Sequence, residues 1–133
     1  MDLLKNNIGD NGAKSIGESL IANSTLTSLD IGGNCIGDAG AILFCESFKS
    51  NSTLTYLDLR NNNIADDGAQ SIFESLQLNS TLTSLDIGGN CIGDAGAILF
   101  CESFKSNSTL TYLDLRNNNI ADDGAQSIFE SLQ

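Results

Sequence analysis

Asp2, Asp30, Asp58, Asp86 and Asp114 stand 28 residues apart, and two of them are bracketed by Tyr56 with Arg60 and by Tyr112 with Arg116. If each aspartate lies on a strand, and the strands run side by side at about 4.8 Å, the carboxylates form one row on one face. Such a row recognises rather than reacts. Two full charges about 5 Å apart in water repel by somewhat under 1 kcal/mol, so the row attracts cations, which Arg60 and Arg116 supply in part. Calcium fits poorly, because it needs roughly six to eight oxygens converging on a point rather than strung along a line. An aspartate between two core leucines is also an ordinary solubilising choice, and that suffices for the aspartates taken alone. Tyr and Arg are frequent interface anchors, and a tyrosine pointing out of a strand has no core reason to be there. Drift at a variable surface position is the competing explanation. The residues expected to meet a protein partner are Tyr56, Asp58, Arg60, Asp86, Tyr112, Asp114 and Arg116.

Other chemistry finds little support. The chain has no histidine for acid–base work, and five copies of one surface do not build a unique pocket. Gly9 to Ser15, GDNGAKS, lacks the adjacent Gly-Lys that a phosphate loop requires. Cys35, Cys45, Cys91 and Cys101 are copies of one pair; their spacing of ten gives neither CxxC nor a zinc pattern. Cys45 belongs to an apolar helix face and Cys35 to a loop. All four are expected as reduced thiols, and no cofactor, metal or catalytic residue is expected. The triplet Asn-Ser-Thr at Asn23, Asn51, Asn79 and Asn107 matches a glycosylation acceptor, but its recurrence at a helix end already explains it.

The elements that position these residues follow from repetition. Residues 79–133 repeat residues 23–77 letter for letter, giving a period of 56, and inside it lies a looser period of 28. The units are 23–50, 51–78, 79–106 and 107–133, preceded by a partial unit, 1–22. Leu29 and Ile31 alternate with Ser28, Asp30 and Gly32 as in a strand. Ala41, Phe44, Cys45 and Phe48 then recur at helical spacing, as do Ala69, Ile72, Phe73 and Leu76. Strands are expected near 28–31, 56–59, 84–87 and 112–115, and helices near 11–21, 39–49, 67–77, 95–105 and 123–132. Asp38 and Asp66, or Asp67 in place of Asp66, stand where a helix start wants a side-chain acceptor and a negative charge. Asn51 and Asn79 stand just past helix ends, where a left-handed residue is expected to close the helix. Leu43 and Leu99 fall opposite the buried stripe, as candidates for exposed apolar contacts. After each strand the chain must turn through the interior, and an inward amide at Asn6, Asn34, Asn62, Asn90 and Asn118 can satisfy its stranded backbone groups.

LTSLDIGGNCI and LTYLDLRNNNI resemble the leucine-rich repeat signature LxxLxLxxNxL across essentially the whole chain. The 28-residue period with a full helix, opening on GDAGA or DDGAQ, is similar to the ribonuclease-inhibitor-like subclass, which also forms the sensing part of NOD-like receptors. The resemblance implies an α/β solenoid, with a parallel sheet on the concave face and helices on the convex face. It implies the same structural role for the asparagine ladder, and a protein-binding function. It also keeps alive the activation of small GTPases, known in one related class, although no segment here carries it.

The net charge of −11 opposes nucleic acid and anionic membrane and leaves basic or neutral proteins as partners. No apolar stretch approaches the roughly 20 residues of a spanning helix, and MDLLKNNIGD lacks the segments of a signal peptide. The reading is a soluble, cytoplasmic chain that binds a protein through the concave face; the alternative is a structural or engineered repeat scaffold without a ligand. Neither end carries a polar capping repeat. Leu3, Ile8 and Ile16 at one end, and Leu110, Leu113, Leu115, Ile128 and Phe129 at the other, are therefore expected to lack cover. A homodimer through these uncapped ends follows as an expectation, joined at the C-terminal repeats with the sheets edge to edge.

Overall fold

Each unit turns its change of period into a three-residue strand followed by a helix. The computed structural model describes residues 1–132; Gln133, the last residue of the fourth full unit, lies outside them. The order is α1 (Gly9–Ala22), β1 (Ser28–Asp30), α2 (Asp38–Phe48), β2 (Tyr56–Asp58), α3 (Asp66–Leu78), β3 (Ser84–Asp86), α4 (Asp94–Phe104), β4 (Tyr112–Asp114) and α5 (Asp122–Ser131). The sheet is parallel in the order β1-β2-β3-β4, with Ser28, Tyr56, Ser84 and Tyr112 in register, and likewise the four strand aspartates. Asp2 adds a single bridge to Asp30.

The strands end one residue earlier than their expected limits at 31, 59, 87 and 115. The cause is the aspartate: its Oδ1 accepts the N–H two residues on, at 2.9 Å from Gly32 to Asp30 and from Arg60 to Asp58, and at 3.0 Å from Gly88 to Asp86. That local bond bends the chain out of the strand. Inward residues Leu29, Ile31, Leu57, Leu59, Leu85 and Ile87 are fully buried between sheet and helices. Phe73 of α3 meets Phe100 of α4 edge-on at 5.1 Å, which ties neighbouring repeats together.

Helix capping departs from expectation. Asp38 and Asp66 are the first residues of their own helices, whose N-cap positions, Gly37 and Ala65, make no side-chain cap. Each carboxylate instead serves the next repeat. Asp38 Oδ1 accepts the N–H groups of Ala65 and Gly68 at 2.7 and 3.0 Å, and Asp66 Oδ1 those of Gly93 and Gly96 at 2.7 and 3.0 Å. The orphan donors at each helix start are thus met across the repeat interface. Gly68 and Gly96 are required by this approach, since a Cβ there would lie 2.6 and 2.7 Å from the capping oxygen.

The helix ends also differ. Asn23 and Asn79 are extended, not left-handed. A left-handed position recurs five residues after each strand's first residue, where Gly33, Asn61, Gly89 and Asn117 have φ of 63, 54, 66 and 57°; Lys5, Gly9 and Cys35 are left-handed as well. Asn51 and Asn79 are buried and form a second amide ladder. Asn51 Oδ1 accepts from Thr53 and Leu54, while its Nδ2 donates to the carbonyl of Leu20, one repeat earlier, at 2.9 Å. The nitrogen that a glycan would need is therefore turned inward at Asn51 and Asn79.

The ladder after the strands is built the same way. Asn62 Oδ1 accepts the N–H of Asn34 and of Ile36, both at 3.0 Å, and its Nδ2 donates to the carbonyls of Ile31 and Leu59 at 3.2 and 2.9 Å. Asn34, Asn90 and Asn118 repeat parts of this pattern, each spanning two repeats. The Asn6 side chain donates only within its own turn, to the carbonyls of Leu3 and Leu4, while its backbone N–H donates to Asn34 Oδ1 at 3.0 Å.

Candidate interaction surface

Alternation in the sequence becomes relief on the outer face of the sheet. The in-register rows read Ser28, Tyr56, Ser84, Tyr112, then the aspartates, and the residues following continue as Gly32, Arg60, Gly88, Arg116. Large side chains on β2 and β4 make two ridges, and small ones on β3 make a valley between them.

The ridges cover their own carboxylates. Asp58 is 0 % exposed and Asp114 is 5 % exposed, so the expectation that these two meet a partner directly gives way to burial beneath Tyr and Arg. Tyr56 donates its O–H to Asp58 Oδ2 at 3.2 Å, and Arg60 lies 3.1 Å from the same oxygen and 3.6 Å from Asp30 Oδ2. Arg116 holds Asp114 through Nε at 2.8 and 3.0 Å and through a second guanidinium nitrogen. The face therefore offers Tyr112 (51 % exposed), Arg116 and part of Arg60 and Tyr56, with Asp86 half-buried between them.

Identical residues titrate differently here. Burial pushes Asp58 above the ordinary 3.8, helped by Asp30 and Asp86 on either side and opposed by the Arg60 backbone N–H and guanidinium. The Arg116 hydrogen bonds hold Asp114 below that value. Burial, then Asp58, pushes the Tyr56 hydroxyl up to about 12, so it donates and never ionises at neutral pH.

Elsewhere the expected residues fall as follows. All four cysteines are free; Cys35 and Cys91 are exposed, Cys45 and Cys101 are buried, and burial raises the Cys45 thiol to about 12. On the helices Ile42 and Ile98 are exposed, one position before Leu43 and Leu99, which neighbouring helices half-cover; Ile21 of α1 and Leu78 of α3 are exposed as well. The last repeat offers a comparison within one sequence. Phe73 and Leu76 are 0 and 2 % exposed, whereas their copies Phe129 and Leu132 are both 64 % exposed. Of the other residues expected to lack cover, Leu110 is buried by its own repeat and its neighbour, and Leu113, Leu115 and Ile128 are half-buried; together they line a largely apolar hollow of about 260 Å³ on that face.

The leucine-rich repeat family model matches residues 2–17, 22–45, 50–73, 78–101 and 106–129. The chain belongs to the leucine-rich repeat family. Among solved structures, this leucine-rich repeat fold is similar to that of leiomodin-1 actin-binding site 2, with a TM-score of 0.84 and 22 % identity over 99 % of this chain and 77 % of that one. It is also similar to the C-terminal domain of Caenorhabditis elegans tropomodulin, with a TM-score of 0.69 and 12 % identity over 92 % of this chain and 90 % of that one. At these identities the likeness is one of fold. No curated protein sequence matches the chain. Among the described residues no helix is long and apolar enough to cross a membrane.

Three features escaped the sequence reading. The trans-capping aspartates and the second amide ladder link residues 27 to 31 apart, although the 28-residue recurrence of Asn-Ser-Thr marks the ladder. The valley at Ser84, Gly88 and Gly89 is visible in sequence as Gly-Gly standing where the neighbouring units have Arg-Asn.

Proposed function

We propose that this leucine-rich repeat chain is a non-enzymatic interaction module that holds a protein partner on its outer sheet face. One observation carries the reading: Tyr56, Arg60, Tyr112 and Arg116 project from one in-register sheet, with their carboxylate partners buried beneath them. Packing does not require tyrosine or arginine there, since Ser28, Ser84, Gly32 and Gly88 hold the same positions on the alternate strands. A partner of basic character suits the net charge of −11, and the free thiols suit a reducing compartment such as the cytoplasm. Capture of partners by immobilised chain, compared with Tyr56→Ala/Tyr112→Ala and with Glu46→Gln/Glu102→Gln on the helix side, tests the face. Actin is one defined arm, because the leiomodin-1 fragment named for binding it has this fold. Loss of a captured protein only in the tyrosine variant is the expected result; equal recovery by all three chains refutes the reading and leaves a scaffold without a ligand.

The last repeat favours a second, compatible reading. The face formed by residues 107–132 is the same in sequence as one that residues 79–106 cover inside the molecule, so its shape and chemistry suit a repeat-like surface. We propose a second copy as its occupant, with the two sheets joined edge to edge. Light scattering across a concentration series should show mass rising above 14.0 kDa, and Phe129→Glu should abolish the rise. A monomer mass for wild type throughout would refute it.

A further inference from the structure

We infer that this chain carries both halves of a head-to-tail joint between two copies, and that residues 1–22 hold one half closed. The inference shares with the reading above only the premise that a second copy occupies the face at residues 107–132. Because residues 23–77 and 79–133 are identical, residues 107–133 have the sequence of 51–77, and unit 23–50 has that of unit 79–106. Units 51–78 and 79–106 meet inside the molecule. Residues 107–132 of one copy and unit 23–50 of another are therefore the two sides of an interface whose fit the structure already displays.

The interior contacts define what the joint rebuilds. Leu59 and Asn61 donate their N–H groups to the carbonyls of Asp86 and Gly88, both at 2.8 Å, Gly93 donates to Asp66 Oδ1 at 2.7 Å, and Phe73 meets Phe100. On the open face the copies of the first set are Leu115, Asn117, Asp122 and Phe129. Among the described residues Leu115 and Asn117 donate no such bond, Asp122 caps no following helix, and Phe129 is exposed. On unit 23–50 the copies of the second set are Asp30, Gly32, Gly37 and Phe44, and residues 1–22 engage all four. Leu3 and Lys5 donate to the carbonyls of Asp30 and Gly32 at 2.8 Å, and Gly37 donates to Asp10 Oδ1 at 2.7 Å. Gly17 stands where the full unit has Phe73, and a Cβ there would lie 3.0 Å from the backbone of buried Phe44.

Cover by residues 1–22 and docking of a second copy exclude each other, since α1 fills the space against α2 and the Gly37 N–H has one proton to donate. The cover is tethered to its site, which gives it an effective concentration far above that of a dilute second copy. With the cover in place only like faces at residues 107–132 can meet, and such a pairing closes after two copies. With the cover lifted, the joint repeats the step from unit 51–78 to unit 79–106, a heterologous contact that does not close and continues into a longer solenoid. The net charge of −11 does not forbid this, because the same charges already face each other across the interior copy of the joint.

The test uses the full 133-residue chain with its cover lifted, by Gly17→Asp and separately by Ile16→Asp/Leu20→Asp, and reads light scattering in salt of about 0.15 M, where charges are screened over about 8 Å. Gly17→Asp sets a charged side chain against the Phe44 backbone, and the double substitution removes the apolar contacts of α1. Both variants should keep the helical spectrum of α2 to α5 and show a mean mass that climbs past a dimer with concentration, whereas the wild type should stop at a dimer. Adding Phe129→Glu to either variant should abolish the growth. Wild type keeps its open face, so mixed in it should shorten the assemblies as a chain stopper, and wild type carrying Phe129→Glu should not. Variants that fold yet stay at the wild-type mass, or growth indifferent to Phe129→Glu, would overturn the inference. So would loss of the whole fold in both variants, which would make residues 1–22 part of the core rather than a cover. A monomeric wild type beside growing variants refutes only the wild-type pairing proposed above; a dimeric wild type beside variants that do not grow refutes only the joint.

Discussion

Replacing Asn62 by alanine removes five hydrogen bonds, four of them buried and the fifth a long one of 3.4 Å to the Arg60 carbonyl. The N–H groups of Asn34 and Ile36 lose their acceptor, and the carbonyls of Ile31 and Leu59 lose a donor. A buried donor left unpaired costs about 1–3 kcal/mol, and a carbonyl that keeps another partner costs less. The expected destabilisation is about 3–5 kcal/mol, a large fraction of the stability of a domain this size. Asn118, less buried and accepting from Ile92 alone, should cost about half as much, and Asn6, which accepts from no other repeat, least. The surface control must be chosen with care. Asn61 is exposed, but its φ of 54° makes alanine there cost about 1 kcal/mol from backbone strain alone. Asn63 is exposed without a left-handed backbone and should be near neutral. Urea unfolding followed by helical circular dichroism ranks the series. Equal midpoints for Asn62→Ala and Asn63→Ala would show that the ladder satisfies nothing the backbone could not satisfy otherwise.

Phe73→Ala should cost about 3–5 kcal/mol and Phe129→Ala under about 1 kcal/mol in dilute solution, because the same residue is sealed in one copy and open in the other; equal melting temperatures would refute the difference in cover. Carboxyl-carbon titration should find Asp58 above 3.8 and Asp114 below it. By linkage, Asp58 binds its proton more tightly when folded, so its share of stability falls as pH rises from 3.8 through its folded value, whereas the share from Asp114 is lost as pH falls from 3.8 through its own. A single shared midpoint would contradict both. A thiol reagent should modify Cys35 and Cys91 promptly in the native chain and all four cysteines only after unfolding; fewer than three reactive thiols after denaturation without reductant would refute the free-thiol assignment.

The 28-residue recurrence with its change of period determined, from sequence alone, the fold class and every strand and helix to within a residue or two. It did so because a strand's alternation and a helix's 3.6-residue spacing are local properties, legible wherever apolar side chains are spaced for burial. What sequence left open was everything that passes between repeats. Asp38 and Asp66 read as caps of their own helices and cap the next ones instead, because the lateral offset of stacked units, not distance along the chain, sets which N–H groups a carboxylate reaches. Asp58 and Asp114 read as part of an open acidic strip and are covered, because Tyr and Arg fold back over them from the same strands. The sharpest case is the pair of identical stretches, 23–77 and 79–133. They share every letter, yet Phe73 is sealed and Phe129 open, and Asp30 is ion-paired while Asp86 is not. Composition is the same in both copies, so only the neighbour that stacking places beside each residue distinguishes them. Burial and pairing are properties of that neighbour, and the tertiary structure alone supplies it.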